Sequence, residues 1–485
     1  MQHPEYALNA QSLYECLEQI SSKDHDTAST DARVRKYYRE RQPLVWVDSR
    51  GLIPDADTLL SVLRREVPLM GFSERAFMLN DIGDDVSRFH RFDFGSDSRY
   101  GSVNEVLARL EFNLTKAYMR YAQGQRYGFT DPHKVLNGFE PSATDSTGRA
   151  LGYRRLYDVE TDRPDGSYME FALGKVRHDS LAAYLAEILP RDPFYLRMAN
   201  LLPDADDTRR RKLLVNMERR RWREADRPEQ HAKFVVVNVP AFHLWAVDGD
   251  SVLDMRTACG AVGTKTPLLS SYISRMDVNP EWLIPASIIR NDIAHHAGNP
   301  DYFSRRSYYI VNRQTGQRVS AANVSRDQLL SGRYRVAQSG GAGNSLGRII
   351  FRFPNNFSVY LHDTSSPSVF NRDSRAVSHG CVRVQRPFDL AQFMFDGQPD
   401  EWVLDKLRIS MDLRPETDQG REYMADTLKN KQTRLVHSLP VSPRVPIYIM
   451  YYTIFPDPVS GQLLYFPDVY GYDKAISRSI DKFTR

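Results

Sequence analysis

The sequence is poor in cysteine: Cys16, Cys259 and Cys381 are the three in 485 residues. Three is too few for a disulfide scaffold, and no Cys-x-x-Cys pair occurs. The odd count leaves at least one free thiol unless a partner chain pairs with it. Long apolar runs are missing too, none approaching the roughly 18 residues that cross a bilayer. The opening MQHPEYALNAQSLYECL has no basic n-region followed by an apolar core, so it does not read as a signal peptide. Either the chain is cytosolic or a signal has been removed. An excess of one charge sign is absent as well. The 65 Lys and Arg against 61 Asp and Glu leave +4, which selects no partner. No internal repeat or low-complexity tract is found.

What is present is 41% hydrophobic and 26% charged residues, the composition of a soluble globular protein. The length suggests about two to four domains. Two basic runs, TRRRKLL (Thr208 to Leu214) and ERRRWR (Glu218 to Arg223), admit a nucleic-acid reading. Acidic residues surround both, which favours a solvated helix face with Trp222 as its apolar anchor. Nucleic acid is therefore not expected as a partner.

Residues 1 to about 110 read as mostly helical from the apolar period of ALNAQSLYECLEQI and DADTLLSVLRREV, the latter with Asp55 or Asp57 as N-cap. SVNEVLARLEFNLTKAYMRYAQGQRYG extends the pattern and ends near Gly124 or Gly128. HDSLAAYLAEILP and DDTRRRKLLVNMERRRW continue it. Phe139 to Ser167, rich in Gly, Asp, Ser and Thr, reads as loop. The character changes at about Lys233. KFVVVNVPAFHLWAVDGDSVLDMRTACG reads as two or three strands with a tight turn at Asp248 to Asp250. An aromatic, turn-rich segment from about Asp277 to Gln338 follows, then strands at GRIIFRF, FSVYLHD and CVRV. Helical FDLAQFMF and DEWVLDKL precede a final strand pair that turns at Ser460-Gly461.

The chemistry concentrates around VSHGCVRV, Val377 to Val384. A cysteine acyl-transfer enzyme needs a thiolate, a base and oxyanion donors. His379 lies two residues before Cys381 and shares its face if the backbone is extended, but Gly380 makes a turn equally plausible. His362, 19 positions upstream, ends an alternating strand and would reach Cys381 across the sheet. A buried inert thiol stays open for Cys381, and is the reading for Cys16 and Cys259, which have no nearby histidine. Zinc ligation by His362, Asp363, His379 and Cys381, or by His295 and His296, lacks the motif spacings that would support it. The Gly-rich SGGAGNSLG has no following Gly-Lys-Ser/Thr and precedes a strand, which argues against a phosphate loop.

HDTSSPSVFNRDSRAVSHGCVRV resembles the active-site signature of the L,D-transpeptidases of bacterial cell-wall synthesis. That signature is a His, a spacer, then Ser-His-Gly-Cys, an apolar residue and Arg or Asn. His362, Ser378, His379, Gly380, Cys381, Val382 and Arg383 supply every element. The likeness runs on through NSLGRIIFRFPNNFSVYLHDT, NPEWLIPASI and LLVNMERRRW, and covers nearly the whole chain. It is to the large Gram-negative type, with an N-terminal scaffold and a capping segment. That type usually carries a small peptidoglycan-binding module before the ERRRW-like helix; here RDPFYLRMANLLPDADDTRRRKLLVNMERRRW runs straight through.

The resemblance implies an α+β fold. A mostly helical scaffold over 1–230 would precede a β-rich catalytic domain over 231–485 that contains a cap at 277–338. It implies Cys381 as nucleophile and His362 as base, with the Gly380 and Cys381 N–H groups near His379 stabilising the oxyanion. Tyr360 and Ser378 would line the substrate site, the cap's Trp282 would line it or only pack the cap onto the domain, and Arg383 would contact a carboxylate or serve structure. The implied reaction takes a tetrapeptide stem, releases D-Ala, and passes the acyl group to a diamino-acid amine as a 3-3 cross-link. The alternatives are an L,D-carboxypeptidase, transfer to another amine or a protein, and an inactive wall-binding scaffold. No cofactor or metal is required. The location implied is periplasmic, with any signal or anchor outside this chain. Peptidoglycan stems are the expected substrates, cell-wall synthases the candidate partners, and carbapenems the expected inhibitors of an enzyme of cell shape.

Overall fold

The computed structural model describes residues 7–95, 101–145, 147, 149–341, 343–430 and 434–484. The chain divides into two compact units. One holds Met1–Arg154, Glu160–Ala225 and Gly471–Arg485; the other holds Arg155–Val159 and Asp226–Tyr470. The division is not linear: Arg155–Val159 goes with the second unit and the chain beyond Tyr470 with the first.

The first unit is built from helices, among them Ala10–Lys23, Ser29–Arg39, Asp55–Leu69 and Leu79–Arg91. The helix Val103–Tyr127 runs through its core. A capping box of Ser102 and Glu105 starts it and Gly128 ends it at φ +92°. It buries polar residues as well as apolar ones. The Glu111 carboxylate accepts from the Val45 and Trp46 N–H groups and the Tyr38 hydroxyl, and burial pushes its pKa up to about 7. The Asp55–Leu69 helix has Pro54 as its N-cap, not Asp55 or Asp57. The expected loop at 139–167 contains an antiparallel hairpin, Pro141–Thr144 with Ala150–Tyr153, and the short strand Tyr157–Asp158.

The ERRRWR run departs most from its expectation. Arg219, Arg220 and Arg221 on the helix Asp207–Arg221 are buried, not solvated. Arg219 pairs with Asp473 at 2.7 Å and Arg220 with Asp192 at 2.5 Å. Arg221 pairs with Glu218 at 3.3 Å and donates to the Tyr195 hydroxyl at 2.7 Å. Only residues 200–206 separate the helices Pro193–Ala199 and Asp207–Arg221, leaving no inserted module between them. The last helix, Tyr472–Thr484, docks in this unit through Phe483, whose ring lies 5.0 Å from Phe129 and 5.7 Å from Phe72.

The second unit is a closed sheet. Its strands are β1 (Lys233–Asn238), β2 (His243–Asp248), β3 (Ser251–Gly260), β4 (Leu268–Val278), β5 (Ile349–Arg352), β6 (Leu361–His362), β7 (Val382–Val384) and β8 (Ser438–Met450). They neighbour in the order β5-β6-β7-β3-β2-β1-β8-β4, and β4 returns to pair with β5. Tyr157–Asp158 adds to β4 and Ala376–Ser378 to β3, both parallel. Gly249 makes the expected turn between β2 and β3 at φ +56°. The strand expected over FSVYLH shrinks to Leu361–His362 because Asn355 diverts its backbone. The Asn355 Oδ1 accepts from Phe357 and Val359 N–H, and its amide donates to Val359 O.

Between β4 and β5 the chain leaves to form a small four-stranded antiparallel sheet, ordered Trp282–Leu283, Tyr334–Gln338, Tyr308–Asn312, Arg318–Val319. It has an apolar core of its own that includes Ile284, Ile288, Ile293, Phe303, Ile310 and Val336. The two passages at its neck are tied together: Asn344 Nδ2 donates to Pro280 O and Ser339 O. Buried apolar area of this kind lets an insertion hold its own shape.

Candidate active site

β6 and β7 run parallel, with Leu361 opposite Val382 and His362 opposite Arg383. Val382 N–H donates to Tyr360 O at 3.1 Å, which continues the register to Tyr360 and Cys381. Alternate residues of a strand share a face, so Tyr360, His362, Cys381 and Arg383 project together. All four line one cleft of about 420 Å³, which the insertion walls with Trp282, Asp292 and Tyr308.

The turn before Cys381 explains its Ser-His-Gly pattern. Gly380 adopts φ +120°, yet a Cβ there would meet only Val359 and Lys265 O, at 3.6 and 3.8 Å. Backbone conformation, not space, therefore requires glycine. Ser378 is buried; its Oγ accepts from Gly380 N–H at 3.1 Å and donates to Cys381 O at 2.5 Å. Thr266 donates to Gly380 O at 2.9 Å. In this arrangement the Gly380 N–H, an expected oxyanion donor, points to Ser378 Oγ. Among the described residues the Cys381 N–H has no protein partner. The Ser378 hydroxyl is committed to the turn.

Burial pushes the Cys381 thiol up to about 11. The backbone N–H and hydroxyl of Tyr360 and the charges of Arg383 and Arg352 pull the other way. The thiol also lies 4.0 Å from Ser358 O. His362 is buried, and burial first and Arg383 second press its pKa down to about 4. Its Nδ1 donates to Asp363 O at 2.5 Å, and a second backbone contact, to Leu346, also favours the charged ring. Thiol and imidazole are therefore both neutral near pH 7, and no direct hydrogen bond joins them in this arrangement. Tyr360 stands where its titration feels both Cys381 and the insertion's Trp282, behind the larger effect of its own burial. Arg383 keeps a buried Nε without a hydrogen-bond partner and has no acidic partner among the described residues.

His379 is not beside the thiol on a common strand. The bend at Gly380 turns it out to the cleft rim, where its Nε2 is 4.0 Å from Asp292 Oδ2. Cys259 is fully buried, its thiol pushed up to about 12 by that burial. Cys16 is only half-buried, against the expected buried thiol. His296 is stacked on Tyr302 with ring centroids 3.7 Å apart. Asp292, Tyr308, Ser358 and Arg352 were not among the residues singled out from the sequence. Asp292 and Tyr308 lie in the insertion, whose placement over the cleft no local motif encodes.

A closed sheet that carries a turn-held cysteine, a buried histidine and an inserted cleft wall defines the class. Residues 232–400 match the family described as the L,D-transpeptidase catalytic domain, and residues 32–202 match the one described as the Scaffold domain. A Haemophilus influenzae protein named "Putative L,D-transpeptidase" is 28% identical over 326 residues. The aligned part is 66% of this chain and 60% of that relative, so it spans less than two thirds of the relative's length. The chain thus carries an L,D-transpeptidase catalytic domain over 232–400 and a Scaffold domain over 32–202. Among the described residues no helix is long and apolar enough to cross a membrane.

Proposed function

We propose that the protein is a peptidoglycan L,D-transpeptidase that works through a thioester on Cys381. One observation carries this reading: the Cys381 thiol sits beside Tyr360, on the sheet face it shares with His362, in a cleft walled by the insertion. The donor is a tetrapeptide stem. As the Cys381 sulfur attacks the carbonyl of the third residue, its proton passes to His362. The unpartnered Cys381 N–H faces the developing oxyanion. An imidazolium held near pKa 4 is a strong acid, well suited to protonating the leaving D-Ala amine. Arg383 receives the donor's terminal carboxylate, which supplies the partner its buried guanidinium lacks. A diamino-acid amine of a second stem then attacks the thioester, the C–S bond breaks, and a 3-3 cross-link results. The insertion acts as a cap, and Trp282 helps keep water from the thioester.

The same reading puts the reaction in the periplasm, beside cell-wall synthases, with a role in cell shape and sensitivity to carbapenems. Intact-mass analysis after incubation with a carbapenem and with a tetrapeptide donor tests it. An adduct on Cys381 that is lost in Cys381→Ala is expected. No adduct, or an equal one in Cys381→Ala, overturns it. Product analysis with an acceptor stem separates the outcomes: cross-linked dimer supports transfer, and tripeptide alone makes the protein an L,D-carboxypeptidase.

A further inference from the structure

The cleft is electrically lopsided. Among its described lining residues Arg383 is the one permanent cation and Asp292 the one carboxylate. Arg383 stands on the sheet side by β7, and Asp292 on the insertion. Asp292 lies in a π-helical turn, Ile289–Ile293, whose end residues are both buried. Extra-residue turns of this kind recur at functional sites. The buried isoleucines anchor the turn while Asp292 stays 54% exposed toward the cleft, opposite a His379 that is 59% exposed. A pair this exposed and 4.0 Å apart contributes little to stability, so folding alone does not account for it.

We propose that Asp292 and His379 form the receiving site for the acceptor amine, an inference that rests on the transpeptidase reading above. The acceptor arrives as an ammonium near neutral pH. Arg383 repels a cation from the β7 side of the cleft, and Asp292 attracts one to the insertion side. Asp292 holds the ammonium, and His379 Nε2 takes one of its protons. The freed amine attacks the thioester carbonyl. When the tetrahedral adduct collapses the C–S bond breaks, and the pair of electrons leaves on the Cys381 sulfur. The second nitrogen proton restores the thiol, and the proton on His379 passes to solvent, with Asp292 stabilising the imidazolium meanwhile. The balance is one ammonium and one thioester consumed, and one amide, one thiol and one proton produced. The acid thus favours transfer over hydrolysis by choosing a cationic acceptor.

The test measures the two half-reactions separately in the full chain. Acylation of Cys381 is followed by mass spectrometry, and the acyl-enzyme is then partitioned between water and a diamino-acid stem. In Asp292→Asn the ratio of cross-linked to tripeptide product at fixed acceptor should fall about tenfold, the size of one charge-assisted hydrogen bond. Asp292→Glu should restore most of it. An unchanged ratio, or equal losses in acylation and transfer, overturns the assignment and leaves the transpeptidase reading intact. Failure of the unmodified protein to acylate at all sinks that reading, and this one with it.

Discussion

His362 stands opposite Arg383 across the parallel pair β6–β7. The guanidinium and burial together hold the imidazole at about 4. His362 therefore stays a neutral base well below pH 6. Replacing Arg383 with Gln removes one of the two depressing causes, so the imidazole pKa rises. The acid limb of the pH profile for carbapenem acylation should move to higher pH in Arg383→Gln. A limb that stays in place means that the two side chains are not coupled.

The same depression ties stability to pH. In the unfolded chain His362 takes a proton near its ordinary value of about 6.5, whereas in the fold it resists protonation to about 4. The unfolded state binds more protons in that window. Stability from this group is full above about pH 6.5 and is lost as pH falls toward 4. Denaturant unfolding of His362→Asn should show a flatter dependence between those values, and an unchanged slope counts against the shift.

A thiol held near 11 is sluggish toward simple alkylators. Iodoacetamide labelling of Cys381 should climb through about pH 7 to 10 without a plateau, since the thiolate fraction is still rising there. Tyr360→Phe deletes a hydroxyl that favours the thiolate. It should slow labelling at fixed alkaline pH by about tenfold. Faster labelling in that variant would reverse the assigned direction.

Gly380 holds φ +120° with room around it. Gly380→Ala therefore introduces backbone strain of about 1–3 kcal/mol rather than a clash. Relief of that strain shifts the Cys381 N–H and thiol, and acylation should drop by about a hundredfold. A shift in Tm of only a few degrees should accompany it. Normal acylation in this variant would show that the turn is not needed.

Arg221 and Glu218 have fully buried side chains. Arg221→Met strands the carboxylate and should cost about 3–5 kcal/mol. Burial already raises Glu218 and Arg221 counters it, so the variant's carboxyl rises further and its penalty grows with pH. Urea unfolding at two pH values checks both, and Glu218→Gln in the same background should recover part of the loss.

Much of the candidate site was legible because turn chemistry and strand period are local. His362 and Tyr360 are two apart, as are Cys381 and Arg383, so each pair shares a face once β6 and β7 form. The Gly380 N–H was not legible, because the nearby Ser378 hydroxyl competes for it and only coordinates show the winner. The buried arginines escaped for a different reason. Asp192 lies 28 positions from Arg220 and Asp473 lies 254 from Arg219, so no helical period near ERRRWR reveals their charge partners. The change to strands at Lys233 was plain from β-branched residues. The hairpin at 141–153 was hidden by its Gly, Ser and Thr content.

The return of Tyr472–Thr484 to the helical unit sets an order of birth. A ribosome finishes the closed sheet and its insertion before it releases Phe483, the ring that seats against Phe72 and Phe129. The seat formed by Phe72 and Phe129 therefore stays unfilled while roughly half the chain is made. During synthesis the sheet has all its strands before the helical unit receives Tyr472–Thr484, so the docking of that helix comes late whatever the rest of its unit has done.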